Sequence, residues 1–161
     1  MEHLEPQLET ERRSAMAEPD PNTMKQILAE LRDINKDKRR TAVMKLGMVG
    51  GDQAVRVLIS TVQNEHEDLI VRGRSALMLG KLKDQRAVNS LIRALDAPGH
   101  QTPVYAAEAL GEIGDPRAIK PLLTLVDDTR KGRDRARAAA ITALTKLGHD
   151  LEKQGDPVIE P

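Results

Sequence analysis

The chain has 161 residues, and 25 lysines and arginines balance 25 aspartates and glutamates, so no overall field draws it to nucleic acid or an anionic membrane. The absence of cysteine excludes disulfides, zinc fingers and cysteine nucleophiles and fits a reducing compartment. No apolar run approaches the roughly 18–20 residues that span a bilayer, and the start Met1-Glu2-His3-Leu4 has no signal core, so one domain in the cytoplasm is expected.

Residues 1–21 hold Glu5, Glu9, Glu11, Glu18 and Asp20 among Pro6, Pro19 and Pro21, which predicts a mobile acidic segment. Asn22 or Thr23 then caps a first helix whose stripe is Met24, Ile27, Leu28, Leu31 and Ile34, ending near Asn35. A charged turn over 35–38 leads to a helix over 39–46 with Ala42, Val43 and Leu46 on one side, closed by Gly47 and Gly50-Gly51. The next helix, 53–63, turns Ala54, Val55, Leu58, Ile59 and Val62 inward and leaves Arg56 and Ser60 exposed. The cycle recurs as helices over 68–81, 85–96, 102–112 and 116–126, with a last helix over 134–147 and a polar tail over 149–161. Asp84 and Asp115 suit N-caps and Pro116 suits a first turn, while Pro121 predicts a mild bend. With Tyr105 the only aromatic, the interior must be built from Leu, Ile, Val, Ala and Met.

The run Leu110-Gly111-Glu112-Ile113-Gly114-Asp115-Pro116-Arg117-Ala118-Ile119 is matched upstream by Leu79-Gly80-Lys81-Leu82-Lys83-Asp84-Gln85-Arg86-Ala87-Val88. A third copy starts at Leu46-Gly47. The leading leucines are spaced by about 31–34 residues, a period typical of stacked helical arrays. In the last helix Thr145 replaces the glycine of the other copies. The expected fold is all-α, an α-solenoid of about three helix pairs over residues 22–148 with a lone helix at each end.

This frame, clearest from Tyr105 to Leu123 and next clearest from Arg72 to Ile92, resembles the HEAT-like repeat of phycobilisome lyases and of many bacterial and archaeal proteins. The resemblance implies a right-handed stack in which inner helices line a concave surface and outer helices a convex one. That family includes scaffolds, bilin lyase subunits, a metal-dependent hydroxylase and DNA-repair relatives, so it is specific for fold and not for chemistry.

Aligning the copies places Arg56, Asn89 and Lys120 in one exposed inner-helix column and Ser60, Arg93 and Thr124 in another, about 10 Å apart from layer to layer. These six residues are the candidate contacts of a non-catalytic adaptor that binds another protein on its concave face. The alternatives are a phycobilin lyase or chaperone-like subunit and, behind it, nucleic-acid binding through the basic loop Arg130 to Arg137. A second cluster, Lys36 to Arg40, is diluted by acid in the same way, and neither has aromatics for base stacking. The hydroxylase resemblance calls for several His-Glu dipeptides, and this chain has only His66-Glu67, so no metal or cofactor is expected. His3, His100 and His149 have no placement suggesting a triad, so no catalytic residue is assigned. Glu108 is expected to pair with Arg72, Arg74 or Arg137 in neighbouring helices, and the end helices offer surfaces for self-association.

Overall fold

The computed structural model describes residues 18–151. Its α-helices are α1 (Pro21–Leu31), α2 (Lys36–Val49), α3 (Gly51–Gln63), α4 (Leu69–Leu82), α5 (Val88–Ala94), α6 (Gln101–Ile113), α7 (Ile119–Val126) and α8 (Asp134–Lys146). No strand occurs among the described residues, and the chain is an α-solenoid. The pairs α2/α3, α4/α5 and α6/α7 are successive layers, with α1 before them and α8 after them.

Local side-chain bonds set the helix ends. Asp20 accepts from the Thr23 amide at 3.0 Å and Pro21 fills the first turn, so α1 starts there. It stops at Leu31, a turn short of the apolar stripe, because Asp33 accepts from the Asn35 amide and Asn35 from the Asp37 amide. These bonds make residues 36–38 the first turn of α2 rather than a loop. They also eject Ile34, which is 98% exposed instead of lying on the stripe. Gly47 does not end α2; the chain turns at Gly50, with φ +65°. Glu18 reaches across to the next helix, its carboxylate accepting from the Asp52 amide at 2.5 Å. It supplies the anion that α3, which has no side-chain N-cap of its own, lacks.

The core is a ladder of equivalent positions. Leu46, Leu79, Leu110 and Leu144 line it from the first helices, and Leu58, Leu91 and Leu122 from the second; all are fully buried. Each leucine contributes about 2 kcal/mol of hydrophobic burial. Ala54, Ala87 and Ala118, also fully buried, let the two helices of a layer meet closely.

Packing between layers is closest along α2, α4, α6 and α8. A Cβ added to Gly80 would lie 2.7 Å from Cα of Ala109, and one on Gly111 would lie 2.9 Å from Cα of Ala143, so each glycine is a socket for the next helix. Gly47 faces Met78 in the same way. Thr145 is exposed, which explains why this copy departs from the frame: no described layer stacks on it. Ile141, expected on the buried side, is 46% exposed for the same reason, whereas its counterparts Val43, Ala76 and Ala107 are fully buried.

The second helices α5 and α7 are shorter than the first helices of their layers. A 3₁₀ turn precedes α5 (Gln85–Ala87) and α7 (Pro116–Ala118). Since the first of these contains no proline, the turn follows from Asp-x-Arg and not from a proline. Asp84 and Asp115 each accept from the amide two residues on at 2.9 Å, and the arginine at that position folds back onto the same carboxylate. Pro121 sits in the first turn of α7, where no amide bond is lost. The carbonyl ends of the second helices are capped by arginine. Arg72 Nε donates to the Val62 carbonyl at 3.0 Å and Arg137 Nε to that of Val126 at 2.9 Å. In the layer between, Pro103 occupies that place, and Arg133 reaches back instead to the carbonyls of Leu95, Asp96 and Ala97.

Candidate partner-binding face

The six sequence-selected residues are all exposed, two on each of α3, α5 and α7. They differ in how freely they are offered. Arg56 is held by Asp52, one turn earlier, at 2.5 Å, and the Thr124 hydroxyl donates to the Lys120 carbonyl at 3.2 Å. The side chains of Arg93 and Lys120 make no ion pair among the described residues.

Because the second helices stand apart from one another, grooves open between them. The α3/α5 groove holds about 550 Å³ and is lined by Val62, Glu65, Arg72, Ser90 and Arg93. The α5/α7 groove holds about 510 Å³ and is lined by Ile92, Leu95, Pro121, Thr124 and Leu125. Arg93 and Thr124 are equivalent positions, and each forms part of a groove wall. The first groove is therefore polar with guanidinium groups, whereas the second combines apolar Ile92, Leu95, Pro121 and Leu125 with the charged Asp96, Asp127, Asp128 and Arg130. Arg72, Ile92 and Pro121 were not among the sequence candidates; an alignment that followed helix flanks rather than ridges would have found Ile92 and Pro121.

Two arginines staple the row. Arg86 bonds Asp84 and also Asp52 of the preceding layer, and Arg130 bonds Asp128 at 2.7 Å and Asp96 at 2.5 Å. The Arg130 guanidinium holds the Asp128 carboxyl at about 2, and Arg86 and Arg117 hold Asp84 and Asp115 below the usual carboxylate range. Both basic clusters are spent largely on such bonds. Lys38, Arg39 and Arg40 pair with Asp33, Glu67 and Asp68, while Arg133 and Arg137 cap helix ends.

The ladder expected for Glu108 is not formed. Glu108 is exposed without an ion pair among the described residues, and Arg72, Arg74 and Arg137 instead donate to the carbonyls of Val62, Arg40 and Val126. One turn later, Glu112 does lie between lysines at the ends of the neighbouring first helices, Lys83 and Lys146. Glu67, of the lone His-Glu dipeptide, is engaged by Arg39 at 3.0 Å. His100 Nδ1 lies 3.1 Å from the Gly132 carbonyl and holds a loop. No cluster of three or more His, Asp or Glu suited to a metal occurs among the described residues.

This geometry of glycine-socketed layers agrees with comparison to known proteins. Residues 24–104 match the family model for HEAT repeats, and residues 103–128 match that for the PBS lyase HEAT-like repeat. The chain belongs to the HEAT repeat family. It is 29% identical over 139 residues to a HEAT repeat-containing taxis protein of Halobacterium salinarum, covering 82% of this chain and 34% of that one. Among solved structures it resembles the complex of CpcE and CpcF of phycocyanin lyase from Nostoc sp. PCC7120. That likeness has TM-score 0.68 and 27% identity, covering 81% of this chain and 55% of the other. It also resembles human deoxyhypusine hydroxylase in complex with glycerol, at TM-score 0.65 and 23% identity over 86% of this chain and 49% of the other, a likeness of fold alone. The HEAT repeat chain thus spans about a third of that curated relative and about half of these solved chains. Among the described residues no helix is long and apolar enough to cross a membrane.

Proposed function

We propose that residues 22–148 act as a non-catalytic scaffold that binds another protein along the second helices. The observation that carries this reading is the division of labour between the two rows. The first helices spend their flanks on layer packing, while α3, α5 and α7 keep exposed ridges beside two open grooves. A preformed rigid face loses little ordering entropy on binding. The similarity to a structure of two lyase subunits in complex supports a protein as the partner.

The test is capture from cell lysate with the chain beside a variant carrying Arg93→Glu and Lys120→Glu, both exposed and outside every ion pair described. The reading expects one protein retained by the parent and lost by the variant; equal capture by both overturns it. A second reading, a chromophore-lyase or chaperone-like subunit, rests on the same likeness to CpcE and CpcF of phycocyanin lyase. It expects a new visible absorbance band when the chain is mixed with a bilin and an acceptor protein, and an unchanged spectrum removes it.

A further inference from the structure

Arg72 is an unusual arginine in this array. It is only 6% exposed, yet no carboxylate lies within ion-pair distance of it among the described residues. Its counterparts differ: Arg39 has Glu67 at 3.0 Å, and Arg137 is more exposed and near Asp134. The other buried arginine, Arg133, lies close to both Asp96 and Asp128. Arg72 spends Nε on the Val62 carbonyl, and its remaining donors have no partner in the described chain. Those donors are not sealed from solvent, since no buried side-chain nitrogen lacks a partner. The side chain lines the α3/α5 groove, and Arg93, exposed and unpaired, stands in the same wall.

A guanidinium taken largely out of water without a counter-charge is costly, and the cost is recovered when an anion supplies charge and paired acceptors. Of the acids lining this groove, Asp96 is engaged by Arg130 and Arg133, and Glu65 is exposed without reaching Arg72. Two arginines against one unengaged carboxylate leave the groove short of negative charge. The floor, Val62 and Ala94, is apolar, and Ser90 bonds its own helix at the Ala87 carbonyl and leaves no free donor.

Resting on the scaffold reading, we infer that the α3/α5 groove is a carboxylate-binding subsite in which Arg72 and Arg93 together grip an aspartate or glutamate side chain of an acidic partner segment. Arg72 gives fixed direction from below, and Arg93 closes over the carboxylate from the ridge. The neighbouring α5/α7 groove, about 10 Å further on, takes an apolar residue of the same segment.

The test uses the full chain, labelled with nitrogen-15, titrated with an end-blocked Gly-Ser-Glu-Ser-Ser-Leu-Gly peptide, its glutamine counterpart, and inorganic phosphate. The glutamate peptide is expected to move the side-chain Nε–H signals of Arg72 and Arg93 saturably and to bind at least ten times tighter than the glutamine peptide. Arg93→Gln, a surface change that leaves the core untouched, is expected to weaken it at least fivefold, and Arg72→Lys likewise. Equal binding of the two peptides, tighter binding of phosphate, or indifference to Arg93→Gln overturns the subsite. Loss of lysate capture in the Arg93→Glu, Lys120→Glu variant without any Arg72 shift overturns the subsite and leaves the scaffold. An Arg72 shift with capture unchanged in that variant sinks the scaffold reading.

Discussion

The replacement Gly80→Ala tests the layer geometry most directly. In an isolated helix it would be stabilising, by about 1 kcal/mol, because glycine is the poorer helix former. In the array its Cβ would sit 2.7 Å from Cα and 2.8 Å from Cβ of Ala109. Carbon atoms rest at about 3.5–4.0 Å, so α4 and α6 must part by about 1 Å. The obstacle is backbone, not the movable end of a side chain, which puts the overpacking cost in the upper part of the usual range, about 2–3 kcal/mol. The net expectation is a loss of about 1–2 kcal/mol, lowering Tm by roughly 2–8 °C. Urea and thermal unfolding followed by circular dichroism measure it. Gly111→Ala should behave alike, with Cα of Ala143 at 2.9 Å, and so should Gly47→Ala, because it meets not only the movable end of the Met78 side chain but also its Cβ, at 2.7 Å. A Gly80→Ala protein as stable as the parent would mean that the helices do not approach as described.

Lys83 is the one non-glycine residue described with positive φ, 51°, at the position held by Gly114 and Gly148 in later copies; Lys83→Gly should raise stability by about 0.5–1 kcal/mol in urea unfolding. Arg133→Met should cost about 1–3 kcal/mol, since the carbonyls of Leu95, Asp96 and Ala97 lose their donor, while Arg135→Met, at an exposed residue with no ion pair described, should stay within about 0.5 kcal/mol. The Asp68 carboxyl is held down to about 2, first by the Arg40 hydrogen bond and also by the amides of Val71 and Ile70. A depressed folded-state value contributes stability above the ordinary aspartate range and loses it as pH falls through about 4 towards 2. Asp68→Asn should therefore lower stability at neutral pH and flatten the acid limb of the stability curve, and an unchanged limb would refute the assignment.

Fold was legible in the sequence because the array repeats the same physical demands from layer to layer. Leucine at the layer centre, alanine where paired helices touch and glycine where layers touch all recur in register, and the structure places each as its spacing implies. The ends of α1 and α2 were not legible, since a hydrophobic stripe running through Ile34 cannot show that Asp33 and Asn35 will take the amides that helix continuation needs. Gly47 was misread as a stop because glycine serves both at helix ends and at close contacts, and only the neighbour Met78 decides which. The ridge residues followed from the repeat frame. The grooves did not, because they depend on the separation of α3, α5 and α7. In the sequence Arg72 is an ordinary ladder arginine; its burial, together with the absence of a carboxylate partner among the described residues, sets it apart.

The same residues that hold the array together also decide where it remains open. Glycine sockets draw one row of helices tight, and a Cβ at any of them would spread that row. On the other row the Asp-x-Arg turns shorten α5 and α7 by taking up their first residues, and the staples from Arg86 and Arg130 tie the layers at isolated points rather than along their length. Grooves of side-chain size are the geometric remainder. Their chemistry is set by the few exposed positions that neither row's packing constrains, such as Arg93 against Thr124. Substitutions at these positions can retune what the face accepts while every socket, cap and leucine of the ladder stays in place. Recognition in this array is therefore separable from stability, and Arg72 is the exception, being bound at once to the Val62 carbonyl beneath it and to whatever anion enters above.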